Sequence, residues 1–224
     1  MLPSTDILAR RSSSCWIRLC GVTALTVATV VACGSRPAGD VGATEAADLA
    51  GAAASPPAAG PSVPVTRGGL PGGTRTVPPV RLVIPAIDVT ATVDAVGVNG
   101  ATGEFEVPPS VDRIGWYRHG PGLEAQAGSV VVAGHVDSAT QGEGAFFRLR
   151  ELDRGDTLTA TGGDGVRREY RVVAREEYRK TKIPLDRYFA RDGKPRLTLI
   201  TCGGPFDAEA RRYRDNIVVT AVPA

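Results

Sequence analysis

The fold is decided by residues 196–202, which read RLTLITC. Apolar and β-branched residues dominate this stretch, a composition typical of a β-strand. Alternate side chains of a strand point to opposite faces. One face holds Leu197, Leu199 and Thr201, and the other holds Thr198, Ile200 and Cys202. We expect Cys202 to end this strand, next to the open backbone of the Gly-Gly-Pro sequence at residues 203–205.

Further strand patterns lie on both sides of this stretch. They cover residues 81–85, 87–98, 129–135 (SVVVAGH), 157–161, 167–174 and 216–222. A Gly-Gly-Asp-Gly turn between the fourth and fifth of these predicts a hairpin. Only residues 144–152 (GAFFRLREL) have the pattern of a short helix. Short strands at this spacing favour a β-barrel or a β-sandwich.

The composition supports a turn-rich β domain and excludes several classes of protein. The chain has 224 residues, with 26 Lys and Arg against 24 Asp and Glu, so its net charge is only +2. A chain with so little net charge does not have the excess of basic residues that is typical of nucleic-acid-binding proteins. Aromatic residues make up 5%, while Gly and Pro number 27 and 17. These values argue against a helical bundle and for a β domain attached to an unstructured segment.

Residues 1–33 have the pattern of an export signal or a membrane anchor. Three arginines provide its positive charge: Arg10, Arg11 and Arg18. The uncharged stretch 19–32 is shorter than the ~20 residues of a spanning helix, as in a signal peptide. Residues 30–35 (VVACGS) resemble a lipobox, in which the signal is cut before Cys33 and that cysteine is lipidated. The alternative is an uncleaved signal anchor. Both place the rest of the chain at the extracellular face of the cell membrane.

Residues 34–79 are rich in Gly, Ala and Pro and contain no aromatic residue. Such a composition cannot bury enough apolar surface to offset chain entropy, so we expect a disordered linker. Residues 80–224 then form the folded domain, which has the commonest size for a single domain. We expect this domain to be monomeric.

The folded region contains one cysteine, Cys202. Exported proteins usually pair their thiols in disulfides, so a lone thiol is either buried and inert or kept for chemistry. A reactive thiol needs a proton partner and a positive neighbour. His135, which ends the strand 129–135, and Arg214, which opens the last strand, are candidates. Each also has an ordinary interpretation, as a strand-end histidine or as a surface arginine paired with Asp215.

Three motifs give this region a family resemblance. Residues 198–202 (TLITC) match the TLxTC signature of sortases, and AGHVDS around His135 and YRDNIVV around Arg214 follow the family's order of His, Cys and Arg. The opening RLVIPAIDV, the GWY at 115–117 and the CGG after the signature are similar to class F sortases of high-G+C Gram-positive bacteria. The resemblance covers residues 80–224. It implies an all-β fold, a closed eight-stranded barrel with one or two short helices.

The same resemblance implies a cysteine transpeptidase that uses no cofactor and no metal. Cys202 would attack the Thr carbonyl of an LPxTG-like sorting signal, and His135 would transfer protons. Arg214 would stabilise the oxyanion. His119 matches no catalytic position of the family and is expected to lie in a loop. The partners would be the sorting-signal peptide and an amine of the cell envelope, with peptidoglycan the expected acceptor.

Two other functions are compatible with the sequence. The first is an L,D-transpeptidase-like envelope enzyme, which would also use cysteine and histidine. In that class the cysteine follows a close His-Gly pair and precedes an arginine, whereas Cys202 lies between Ile-Thr and Gly-Gly. The second is a lipid-anchored β domain that binds or adheres and has an inert cysteine.

Overall fold

Eight strands close into a barrel in the computed structural model, which describes residues 39–51, 76–101 and 104–224. In chain order the strands of the described residues are β1 (Pro79–Ile84), β2 (Val89–Val96), β3 (Arg113–Tyr117), β4 (Ser129–Gly134), β5 (Asp137–Ser138), β6 (Gly142–Glu143), β7 (Thr157–Gly162), β8 (Arg167–Arg179), β9 (Arg196–Asp207) and β10 (Arg212–Pro223). The barrel order is β1-β2-β3-β4-β9-β10-β8-β7, and β5 pairs only with β6. The expected barrel is confirmed.

Two strand pairs in the barrel are parallel, β2 with β3 and β4 with β9, and the other pairs are antiparallel. β3 was not predicted as a strand, although its GWY sequence was noted. Its three central residues are all buried, so it lacks the alternation of apolar and polar residues that indicates a half-exposed strand.

The hydrophobic core fills the barrel. Its most buried members include Ile84, Ile114, Phe146, Leu152, Leu197 and Leu199. Leu197 and Leu199 point into this core, so the side chains that alternate with them on β9 face the outside of the barrel. The division of β9 into two faces, as predicted from its sequence, therefore separates the core from the outer surface.

Helical structure is sparse in the described residues. They contain two α-helices, α1 (Ala43–Gly51) and α2 (Leu185–Tyr188). The helix predicted over 144–152 is reduced to a 3₁₀ turn at Leu149–Glu151. Leu149 and Leu152 on this turn are fully buried, so the apolar spacing arises from a buried turn and not from a regular helix.

The helix α1 lies inside the segment expected to be a disordered linker. Val41, just before it, exchanges two backbone hydrogen bonds of 2.8 Å with Arg175 on β8. Ala46 and Leu49 on α1 are buried. These two residues are three positions apart, so they share one helix face. The Ala-rich composition concealed this short apolar face, and the expectation of disorder is wrong for residues 39–51.

The predicted signal or anchor, residues 1–33, lies outside the described residues. Over residues 39–51, 76–101 and 104–224, no helix has the length and hydropathy needed to cross a bilayer.

Substitution of Leu49 tests whether α1 is part of the folded unit. Leu49→Ala removes a side chain that is only 7% exposed, and loss of a buried leucine costs about 2 kcal/mol at the lower end of the usual range. For a domain of this size that corresponds to a fall in Tm of about 6 °C. Thermal denaturation measures it, with Asp48→Ala on the exposed face as the control. An unchanged Tm for Leu49→Ala would show that α1 adds no stability.

Candidate active site

Cys202 lies on the outer face of β9 and is half-buried. It does not end the strand, as the sequence suggested, because β9 continues to Asp207. Its register partner on β10 is Asn216. The strand is irregular beyond this point: Gly204 has a φ of +70°, and the β9–β10 register shifts between Tyr213 and Asp215. This bulge changes the direction of the chain next to the thiol.

His135 follows β4 at the same level of the barrel as Cys202. β4 and β9 are parallel, and Ala133 lies opposite Ile200. Two residues further along each strand are His135 and Cys202, so the parallel register brings both to the same end of neighbouring strands. The Nε2 of His135 lies 2.9 Å from the carbonyl oxygen of Pro108. A carbonyl oxygen only accepts hydrogen bonds, so Nε2 carries the proton in this arrangement.

Arg214 sits in the bulge of β10, beyond Asn216. Its guanidinium is half exposed and pairs with Asp207 at 3.0 Å, not with Asp215, as the ordinary interpretation supposed. A hydrogen bond from the Ala210 backbone, together with the Arg214 guanidinium, lowers the pKa of Asp207. Asp207 is therefore charged at neutral pH and holds Arg214 by an ion pair.

A groove of about 600 Å³ runs along the outer face of the barrel and reaches Cys202. Most of the side chains that line it are apolar, among them Val98, Val107, Ala133, Ile183, Leu185 and Ile200. Phe105, Tyr117 and Phe189 also line it, with ring centroids 5.3–6.1 Å apart. Such a surface suits an extended peptide with apolar side chains.

One wall of the groove is the segment between β8 and β9, which contains α2. A buried cluster fastens it to the barrel. The Glu176 carboxylate is 2% exposed and accepts hydrogen bonds from Tyr178 at 2.7 Å, Tyr188 at 2.8 Å and Arg187 at 2.9 Å. Burial, reinforced by its bonds with Tyr178 and Glu176, holds the pKa of Tyr188 far above that of a free tyrosine. Tyr188 therefore remains a neutral donor to the buried carboxylate.

Two polar contacts at the site were not predicted from the sequence. The Nζ of Lys180 lies 3.4 Å from the Sγ of Cys202, and the Tyr213 hydroxyl donates a hydrogen bond to Asp137. Lys180 lies outside the three motifs, and although AGHVDS contains Asp137 and YRDNIVV begins with Tyr213, motifs do not show which residues distant along the chain touch each other. The alternation of side chains at the end of β8 places Tyr178 and Lys180 on the same face of the sheet. It does not show that Cys202 lies within reach of Lys180.

His119 is placed in an exposed loop after β3, as expected. Its ring lies edge-on to Tyr117, with centroids 5.7 Å apart, and its carbonyl accepts a hydrogen bond from Arg191. In the part of the chain that the structure describes, no three His, Cys, Asp or Glu side chains are grouped so that they could hold a metal ion.

The comparisons with known proteins agree with this architecture. Residues 82–224 match the family model of the sortase domain. The chain belongs to the sortase family. It is therefore a cysteine transpeptidase, which removes both the L,D-transpeptidase-like interpretation and the non-catalytic β domain. No curated protein sequence matches the chain.

Solved structures show the same fold at low sequence identity. Sortase C-1 from Actinomyces oris (formerly Actinomyces naeslundii) is 21% identical with a TM-score of 0.50, covering 64% of this chain and 72% of that one. A lid mutant of sortase A from Corynebacterium diphtheriae is 22% identical with a TM-score of 0.50, covering 67% and 73%. At this identity the neighbours support the barrel fold of this sortase and nothing finer.

The buried cluster predicts that Glu176 supports the groove wall. Glu176→Gln keeps the shape but leaves Arg187 without its carboxylate, and breaking a buried ion pair costs about 3 kcal/mol. We expect a lower Tm and a raised KM for a sorting peptide, because the wall that carries Leu185 and Phe189 loses its anchor. Denaturation and steady-state kinetics measure the two effects. Glu151→Gln is the control, since its pair with Arg148 is exposed and should change either value little. A wild-type KM in Glu176→Gln would show that the Glu176 cluster does not contribute to substrate binding.

Proposed function

We propose that this sortase cleaves an LPxTG-like sorting signal after Thr and transfers the protein to an amine of the cell envelope, with Cys202 as its nucleophile. The observation that carries the proposal is the apolar groove that reaches the sulfur of Cys202. A sorting signal bound along this groove presents one carbonyl to the thiol. The resemblance of residues 198–202 to the TLxTC signature also supports Cys202 as the nucleophile.

The reaction has two halves that share a thioacyl intermediate. In the first, Sγ of Cys202 forms a bond to the Thr carbonyl carbon, and the bond to the following Gly nitrogen breaks. In the second, an incoming amine takes the acyl group, and the sulfur leaves as thiolate. Peptidoglycan is the acceptor that we propose, because an envelope amine is the nucleophile implied by the family resemblance.

His135 is proposed as the general acid and base. Protonated, it gives a proton to the leaving Gly amine, and it then accepts one from the incoming amine. Its position level with Cys202 supports this role. The Nε2 proton is held by the Pro108 carbonyl at 2.9 Å, so the ring must release this bond if Nε2 is the atom that transfers the proton.

Arg214 is proposed to bind the oxyanion that develops on the Thr carbonyl, because its fixed charge and several N–H donors suit that task. Its side chain is half exposed and pairs with Asp207. To reach the oxyanion, the guanidinium must exchange one negative partner for another. Arg211 and Arg212 are the nearest other arginines along the chain that could take this role. Arg211 lies in the exposed turn before β10, and Arg212 is the first residue of β10.

We also propose the class F assignment and attachment to the extracellular face of the cell membrane through the N-terminus. The motif similarities of residues 81–89 and 115–117 support the class. The uncharged stretch that ends at Cys33 supports the attachment, either as a lipidated N-terminus or as a signal anchor with its arginines on the cytoplasmic side.

Mass spectrometry after incubation with an LPxTG-type peptide tests the nucleophile. We expect an acyl adduct on Cys202 and release of the Gly-containing fragment, whereas Cys202→Ala should be folded but unable to cleave. His135→Ala should lose activity by more than the ~10²–10⁴-fold that acid–base catalysis supplies, because activation of the thiol is lost as well. Arg214→Lys should also be severely impaired, since an ammonium group lacks the guanidinium fork.

Matched controls make this experiment decisive. His119→Ala should keep most of the activity, and Arg212→Lys should resemble the wild type. Cleavage by Cys202→Ala would disprove the assignment of the nucleophile. Loss of activity in His119→Ala with retention in His135→Ala would show that the wrong histidine was chosen.

A substitution at Cys33 distinguishes the two routes of attachment. If Cys33 is lipidated, Cys33→Ala blocks processing and the precursor migrates as a larger protein on a gel. Cys20→Ala, within the same apolar stretch, is the control and should be processed normally. An unchanged band for Cys33→Ala, with the intact N-terminus found by sequencing the membrane-bound protein, would favour the signal anchor instead.

A further inference from the structure

Among the described residues, Lys180 is the cationic side chain that contacts the sulfur of Cys202, with Nζ 3.4 Å from Sγ. The two groups proposed for catalysis have other partners here. His135 is bonded to the Pro108 carbonyl, and Arg214 is paired with Asp207. The positive charge closest to the sulfur therefore comes from a residue outside the three sequence motifs.

The backbone fixes Lys180 in this position. Its N–H donates a hydrogen bond of 3.1 Å to the Arg214 carbonyl, which extends the pairing of β8 with β10 by one residue. Tyr178 lies opposite Asn216, and Asn216 lies opposite Cys202. Lys180, Asn216 and Cys202 all line the groove. Two strand spacings separate β8 from β9 by about 10 Å. An extended lysine side chain and one hydrogen bond span that distance across β10.

We propose that Lys180 is a catalytic residue of this sortase, whose ammonium group stabilises the thiolate of Cys202. The inference rests on the proposed role of Cys202 as the nucleophile. The thiolate is the reactive form of cysteine, and a neighbouring lysine favours it. When Sγ bonds to the Thr carbonyl carbon and the bond to Gly breaks, the leaving amine takes its proton from His135. Lys180 keeps its three protons throughout both halves of the reaction.

The expected size of the effect is moderate. A thiolate that is more strongly stabilised is also a weaker nucleophile, so each tenfold gain in the thiolate fraction costs about threefold in intrinsic reactivity. The net gain in the rate of the thiol's reactions is then about threefold for each tenfold gain in the thiolate fraction. Lys180 is exposed, and water screens an exposed charge pair. We expect the loss on removing this charge to be about threefold, far smaller than the loss on removing Cys202.

The test measures alkylation of Cys202 in the full chain at one neutral pH, with the modified site identified by peptide mass spectrometry. The reagents are neutral iodoacetamide and anionic iodoacetate. Lys180→Met should slow both by about threefold or more, with iodoacetate slowed more strongly because the attraction for the anion is lost as well. Lys180→Arg should restore both rates. Lys182→Met removes a charge two residues away and should behave as the wild type.

Peptide cleavage provides the second measurement. In Lys180→Met we expect kcat to fall by a similar factor, and Lys180→Gln serves as a second neutral variant. Wild-type alkylation rates in folded Lys180→Met would overturn the role of Lys180 and leave Cys202 as the nucleophile. An acyl group on Nζ of Lys180 would overturn it too, because Lys180 would then act as a neutral amine. Cleavage by Cys202→Ala, in contrast, would disprove the proposed function itself.

Discussion

The pairing of β9 with β4 on one side and β10 on the other is the constraint on which the site depends. The parallel register with β4 carries His135 to the level of Cys202, and the antiparallel register with β10 places Asn216 beside the thiol. These positions are held by main-chain hydrogen bonds at the end of a packed barrel. A shift of one residue would turn Cys202 towards the core and exchange it with the apolar side chains that fill the barrel.

The rest of the site is built on less regular structure that is fastened to this frame. The wall that contains α2 lies between two long strands, and one of its connections to the barrel is the buried carboxylate of Glu176 with its three donors. α1 packs on β8 next to the same segment, and Arg187 donates a hydrogen bond of 3.5 Å to the Ala43 carbonyl. The strands therefore position the thiol, while the side-chain cluster positions the surface along which a peptide would lie.

Periodicity predicted most of the strands because their alternation is a local property. It placed Leu197 and Leu199 on one face of β9 and Cys202 on the other without knowledge of any partner strand, and the structure buries the two leucines in the core. β3 was missed because it is buried on both faces, and α1 because a single leucine among alanines gives too weak a pattern. The Lys180–Cys202 contact could not be predicted, since it depends on how β8 and β9 both pair with β10. Family motifs supplied Cys202, His135 and Arg214, but a motif carries no information on a residue that lies outside it.

The partners of the charged groups suggest how substrate binding and reactivity are linked. The imidazole of His135 is bound to a carbonyl and the guanidinium of Arg214 to a carboxylate. In the roles proposed for His135 and Arg214, both bonds occupy donors that the reaction needs, so a bound peptide would have to offer better acceptors before these groups turn to it. The Thr carbonyl becomes such an acceptor only as negative charge develops on its oxygen. Arg214 would then leave Asp207 most readily in the transition state, which favours the chemical step more than peptide binding. Lys180 differs because its contact is with the proposed nucleophile, so its charge would act before the substrate arrives.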